Sequence, residues 1–172
     1  MTEFFNKNGD SYSGTVVWLT PKYIIDALEG PFDLDPCAPD VIPFKIASNT
    51  FNKQQNGLLQ DWSKYKDVFI NPPYDYISLK EYTKKAIEHK ECIMLIYART
   101  DTELFQKEIF TNAYSILFIK GRIKFLDETG DLAKNFAGAP SCLIAFNENM
   151  HKKLKNAIDN NLIKGTLIKL NF

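Results

Sequence analysis

Four consecutive residues, Asn71-Pro72-Pro73-Tyr74, combine types that could do chemistry at a strand end. Val68, Phe69 and Ile70 before them suit a buried pleated surface, so this stretch is read as a strand. The strand must stop at Asn71, because Pro72 has no N–H to donate and holds its predecessor extended. The turn then offers the Asn71 amide and the Pro72 carbonyl as acceptors, in directions that two prolines fix in advance, with the Tyr74 ring beside them. Two such acceptors can grip both hydrogens of a conjugated amine, tilt its nitrogen towards tetrahedral geometry and free the lone pair. No strong base is needed before attack, since the proton leaves once the nitrogen is cationic. An aromatic stacked on a flat base contributes about 1–3 kcal/mol, and a base inside a duplex must first be flipped out.

A second group belongs to Phe32-Asp33-Leu34-Asp35-Pro36-Cys37-Ala38. Alternation puts Phe32 and Leu34 on one side of a strand that ends at Asp35 and turns on Pro36. A carboxylate there is costly unless satisfied: it either caps the turn or receives a cationic ligand group.

The elements around these residues alternate. Thr20-Pro21 reads as a hydroxyl cap and first-turn proline for a helix through Leu28. Residues 40–66 read as loop, anchored by Leu58, Leu59 and Trp62. Helices are expected over Leu79–His89, Thr102–Phe110 and residues 149–160. Further strands are expected at Cys92–Tyr97, Ser115–Ile119, Cys142–Phe146 and Thr166–Leu170, with Arg122–Phe125 opening another. This pattern predicts an α/β layered fold with a mostly parallel sheet, antiparallel additions late in the chain and helices on both faces. If the strands ending at Asp35, Asn71 and Tyr97 are adjacent and parallel, then Asp35, Asn71, Tyr74 and Arg99 line one crevice.

Size and composition bound the function. At 172 residues, 45% hydrophobic and 24% charged, the chain is expected to form one domain, with residues 1–14 a loose arm. Cys37, Cys92 and Cys142 lie far apart, which indicates neither a zinc site nor a disulfide framework. With no secretory signal and no apolar run long enough for a bilayer, a cytoplasmic setting without a membrane partner is expected. Lysine plus arginine equals aspartate plus glutamate, 21 each, so no global basic field exists. Local basic surface is nevertheless available at Lys120, Arg122 and Lys124.

Taken in order, Trp18-x-Thr20-Pro21, Asp35-Pro36-Cys37-Ala38, Gly57-Leu58 with Trp62, Asn71-Pro72-Pro73-Tyr74, Arg99-Thr100-Asp101-Thr102 and Gly121-Arg122-Ile123-Lys124-Phe125 resemble the small phage and prophage DNA N-6-adenine methyltransferases. The resemblance covers roughly residues 16 to 147. It implies a reduced Rossmann-like methyltransferase fold, S-adenosylmethionine as cofactor, double-stranded DNA with an adenine target as partner, and no metal. It implies catalysis by Asn71, Pro72, Pro73 and Tyr74. Cofactor contacts would come from Trp18, Thr20, Pro21, Asp35, Pro36, Cys37, Ala38 and Trp62, with Asp35 on the amino group. Arg99, Lys120, Arg122, Lys124 and Phe125 would meet the substrate. The alternatives are an amino-methyltransferase for RNA or a protein glutamine, and a catalytically dead nucleic-acid-binding relative. The oligomeric state is left open.

Two departures stand out. Pro39 and Asp40 follow Ala38 where that family's cofactor motif carries glycines. Only 35 residues separate Asp35 from Asn71, whereas one strand–helix–strand unit takes roughly 30 or more. The acid for the cofactor ribose is left unassigned, with Asp61 as a guess.

Overall fold

The computed structural model describes residues 18–127 and 129–170, so the expected N-terminal arm and the start of the apolar run at Val16 lie outside the described residues. Seven strands form one sheet: β1 (Phe32–Asp35), β2 (Ala47–Thr50), β3 (Val68–Ile70), β4 (Cys92–Tyr97), β5 (Ser115–Ile119), β6 (Ser141–Ala145) and β7 (Gly165–Lys169). Their spatial order is β2-β1-β3-β4-β6-β5-β7. The first four are mutually parallel, and every pairing from β4·β6 outward is antiparallel. Strands β1 to β5 therefore point one way, and β6 and β7 the other.

Alternation along the strands feeds two cores. On one face Phe32, Phe69, Ile93, Leu95 and Leu143 meet α1 (Lys22–Ala27) and α4 (Glu148–Asp159). On the other, Leu34, Val68, Ile70, Met94 and Ile144 meet α2 (Tyr76–His89) and a π-helical stretch, Leu104–Ile109, that closes as α3 (Phe110–Asn112). Helices thus cover both faces, as expected of central strands that are apolar throughout.

The helix starts are local chemistry. Asp75 accepts from the Ser78 N–H at 2.9 Å and caps α2, so the helix begins directly behind the Asn-Pro-Pro-Tyr turn, three residues before the expected Leu79. Asn147 caps α4 in the same way through Met150. The expected cap on α1 is absent. Pro21 occupies the cap position in extended geometry, and the Thr20 Oγ1 is buried without a partner among the described residues.

Two further expectations are corrected. Residues 40–66 are not all loop, since Ala47–Thr50 pairs with β1 in parallel. Only Ala47 of β2 is buried, and Asn49 supplements the ladder by donating to the Asp33 carbonyl at 3.0 Å, so no apolar alternation marks this edge strand. Arg122–Phe125 is not a regular strand. Ile123 and Phe125 do point inward, but their carbonyls take single bonds from Ala137 and Ala133. Leu126 alone bridges Leu19 and Leu132.

Phe69 is fully buried, with its ring 5.3 Å from that of Phe32. Replacing it by alanine should cost about 3–5 kcal/mol in urea unfolding. Leu59, expected as a buried anchor, is instead exposed, so Leu59→Ala should change stability by less than about 0.5 kcal/mol.

Candidate active site

Chain order reverses between β1 and β3. From β1 the chain crosses to β2 on one side, and from β3 it continues to β4 on the other. The two strand ends therefore part there and leave a crevice beyond the sheet, where open α/β sheets hold ligands. A cavity of about 650 Å³ occupies this place, and both Asp35 and Asn71 line it. That volume is in the range of small-molecule sites.

Asn71 is oriented from outside its own turn. Its Nδ2 donates to the Trp18 carbonyl at 2.8 Å, which turns Oδ1 the other way, where the Tyr74 hydroxyl donates to it at 3.2 Å. An amide oxygen has two lone pairs, so Oδ1 retains acceptor capacity. The Trp18 carbonyl is itself placed by neighbouring Leu19, whose N–H and C=O both bond Leu126 at 2.9 Å. The Tyr74 ring stacks on Tyr97 with centroids 4.3 Å apart and meets Phe125 edge-on at 6.4 Å.

In the same cavity wall Asp35 is buried, and among the described residues its Oδ1 takes one bond, from the Cys37 N–H at 2.9 Å. Burial pushes its carboxyl up to about 7, and the Cys37 bond opposes this only in part. The Cys37 thiol is pushed well up by burial, with Asp35 adding to the effect. The Thr20 Oγ1 lines the same cavity and lacks a partner among the described residues. A desolvated carboxylate and an orphaned hydroxyl in one wall suit a ligand with a cationic amine and further polar atoms.

Of the expected cofactor residues, Trp18, Thr20, Asp35, Pro36, Cys37 and Ala38 line the cavity, as do Asn71, Pro72, Pro73 and Tyr74. Pro21 and Trp62 do not. Trp62 is buried, stacks on Tyr82 at 6.3 Å and donates its Nε1 to the Gly57 carbonyl at 2.8 Å. Asp61, the guess for the ribose acid, does not line this cavity either; its exposed carboxylate caps the 3-10 turn Trp62–Lys64 through Ser63. Arg99, Lys120, Arg122, Lys124 and Phe125 stand outside the wall. Arg99, Lys120 and Arg122 are exposed, and Phe125 is buried against Tyr74.

Sequence reading assigned no site role to the rest of the wall, which includes Asn52, Lys53, Asn56, Leu58, Ser78 and Tyr82. The one legible signal was Gly57 within an amide-rich stretch. A Cβ there would fall 2.1 Å from the Pro36 carbonyl, so only glycine permits this approach. The loop that follows Asp35 thus receives a glycine contact from a different segment. Among the described residues no cluster of His, Cys, Asp and Glu could hold a metal, and no helix is long and apolar enough to cross a membrane.

The fold and site define a class: an α/β protein with a ligand cavity at the switch point of its sheet and an Asn-Pro-Pro-Tyr turn in the cavity wall. The family model for DNA N-6-adenine-methyltransferase (Dam) matches residues 12–163. This chain belongs to that family. It is similar to a DNA N-6-adenine-methyltransferase of Escherichia phage T1, at 33% identity over 127 residues, 66% of this chain and 51% of the relative. The chain thus spans about half the length of that curated relative. No solved structure matches.

The raised Asp35 carboxyl has a consequence for stability. Its folded value of about 7 lies above the ordinary 3.8, so between these values the folded state binds more protons than the unfolded one. Its contribution must therefore decline as pH rises from about 4 to about 7. Asp35→Asn should remove that decline, seen as the difference between wild-type and variant urea midpoints across this window. Parallel pH profiles would refute it.

Proposed function

We propose that this chain transfers a methyl group from S-adenosylmethionine to the N6 amino group of adenine in double-stranded DNA, on a Rossmann-like fold reduced in size. The observation that carries the proposal is the Asn71 amide, clamped by the Trp18 carbonyl at 2.8 Å and sharing a cavity with the buried Asp35. When bound, S-adenosylmethionine supplies a sulfonium methyl group as electrophile. Asp35 would hold its ammonium, and the Thr20 hydroxyl would meet another polar atom of its methionine end.

The adenine amine would donate to Asn71 Oδ1 and to the Pro72 carbonyl. These two acceptors need no reorganisation, since Trp18 fixes one and the prolines the other. Tyr74, backed by Tyr97, would stack on the flipped base. Phe125 stands at the edge of that ring. The exposed Lys120 and Arg122, with Lys124 beside them, would contact phosphates. On this reading residues 1–172 form a single methyltransferase domain.

Incubation of the purified chain with labelled S-adenosylmethionine and unmethylated DNA should yield N6-methyladenine. Asn71→Ala should lower the rate by about two orders of magnitude or more. Cofactor binding without any N6-methyladenine in wild type would sink the proposal. Because Asp35 must be ionised to hold an ammonium, cofactor affinity should rise about tenfold per pH unit below about 7 and then level off. In Lys120→Ala with Arg122→Ala, the slope of log affinity for DNA against log salt should become shallower by about one per lost phosphate contact.

A further inference from the structure

We infer that Lys85, on α2, is a positioning residue for the cofactor-side wall of the cavity, an inference that rests on the cofactor reading above. Its half-buried ammonium donates to the Leu58 carbonyl at 2.6 Å and to that of Gln60. It also reaches the Gly57 carbonyl at 3.5 Å and stands 5.0 Å from the centre of the Trp62 ring. A lysine has three N–H donors, and here they converge on one short turn, Gly57–Leu59 with its cap Gln60. Burial pulls the Lys85 pKa down, while Glu88 and Asp61 oppose the effect.

That turn is not free to sit elsewhere. The Gly57 carbonyl also accepts from Trp62, and the Gly57 backbone lies so close to Pro36 that no side chain fits between them. Pro36 is also held by the Tyr82 hydroxyl, which donates to its carbonyl at 3.2 Å. Tyr82 and Lys85 are three residues apart on α2, hence on the same face of the helix. One helix face thus grips both the loop that follows Asp35 and the turn that presses on it. Asn56 and Leu58 of the turn, with Pro36, line the cavity, whereas Lys85 does not. Because α2 is capped by Asp75 directly behind Tyr74, the same helix ties the cofactor wall to the catalytic turn.

The alternative is that Lys85 serves stability alone. Lys85→Met removes the three donors and keeps an apolar chain over Trp62. Calorimetry with S-adenosylmethionine should show its Kd rising about tenfold or more. KM for the cofactor should rise in parallel, with kcat at saturating cofactor within about threefold of wild type and the Kd for DNA unchanged. Lys85→Arg, which keeps the charge with a different donor geometry, should fall between the two. An unchanged cofactor Kd in Lys85→Met, or a fall in kcat with KM intact, overturns the inference. If Lys85→Met does not fold, Lys85→Arg carries the test by the same KM-against-kcat criterion. A wild-type chain that binds no cofactor overturns the proposed function itself, and is seen before either variant is made.

Discussion

The hydrogen bond from Asn71 Nδ2 to the Trp18 carbonyl is the constraint on which the rest of the site depends. A terminal amide at a strand end can present either its oxygen or its nitrogen to a ligand, and nothing within Asn-Pro-Pro-Tyr decides which. The decision comes from 53 residues upstream. It holds only because the Leu19–Leu126 bridge pins the chain beside Trp18. The irregular segment through Ile123 and Phe125 therefore contributes twice, by carrying Leu126 and by placing Phe125 against Tyr74. Loss of an unremarkable backbone bridge would free the amide to rotate, with no change in the Asn-Pro-Pro-Tyr turn itself.

The shortness of the segment between β1 and β3 has a structural answer. Between β1 and β3 the chain builds a single further strand, β2, and makes both crossovers without an α-helix. The crossover from β1 to β2 takes residues 36–46, near the lower limit for joining parallel neighbours. Irregular chain then covers the strand ends, and its polar groups must be satisfied one by one. Ala38 donates to Phe51, Phe51 to Asp35, and Tyr82 to Pro36. Side chains from α2 thus support what a regular crossover helix would otherwise carry.

Legibility in the sequence followed burial. The central strands and Asn71 were readable because long apolar runs and prolines act locally. The adjacency of Asp35 and Asn71 was inferred from the polar ends of successive strands, and the parallel pairing of β1 with β3 brings them together. Strand β2 was missed because an edge strand with one buried residue has no alternation to detect. Thr20 was misread as a cap because the hydroxyl-proline pattern is the same whether the oxygen turns to the helix or to the cavity. Trp62, expected as a cofactor contact, lies outside the cavity wall and donates to the Gly57 carbonyl, a contact that no spacing encodes.

Tyr74 binds both a ring and an oxygen that the proposed substrate also needs. Its hydroxyl occupies one lone pair of Asn71 Oδ1, while Tyr97 covers part of its ring. Neither contact has to break completely for an amine to arrive. Oδ1 can accept twice, and a stacked ring has a second face. An incoming amine would then find the acceptor already desolvated and already aligned, so little free energy goes into ordering it. The hydroxyl would matter less than the ring, because a phenylalanine at this position would stack equally well while leaving Oδ1 with both lone pairs. Stacking on Tyr97 restrains the plane of Tyr74 without a hydrogen bond, and that plane is what the base must match.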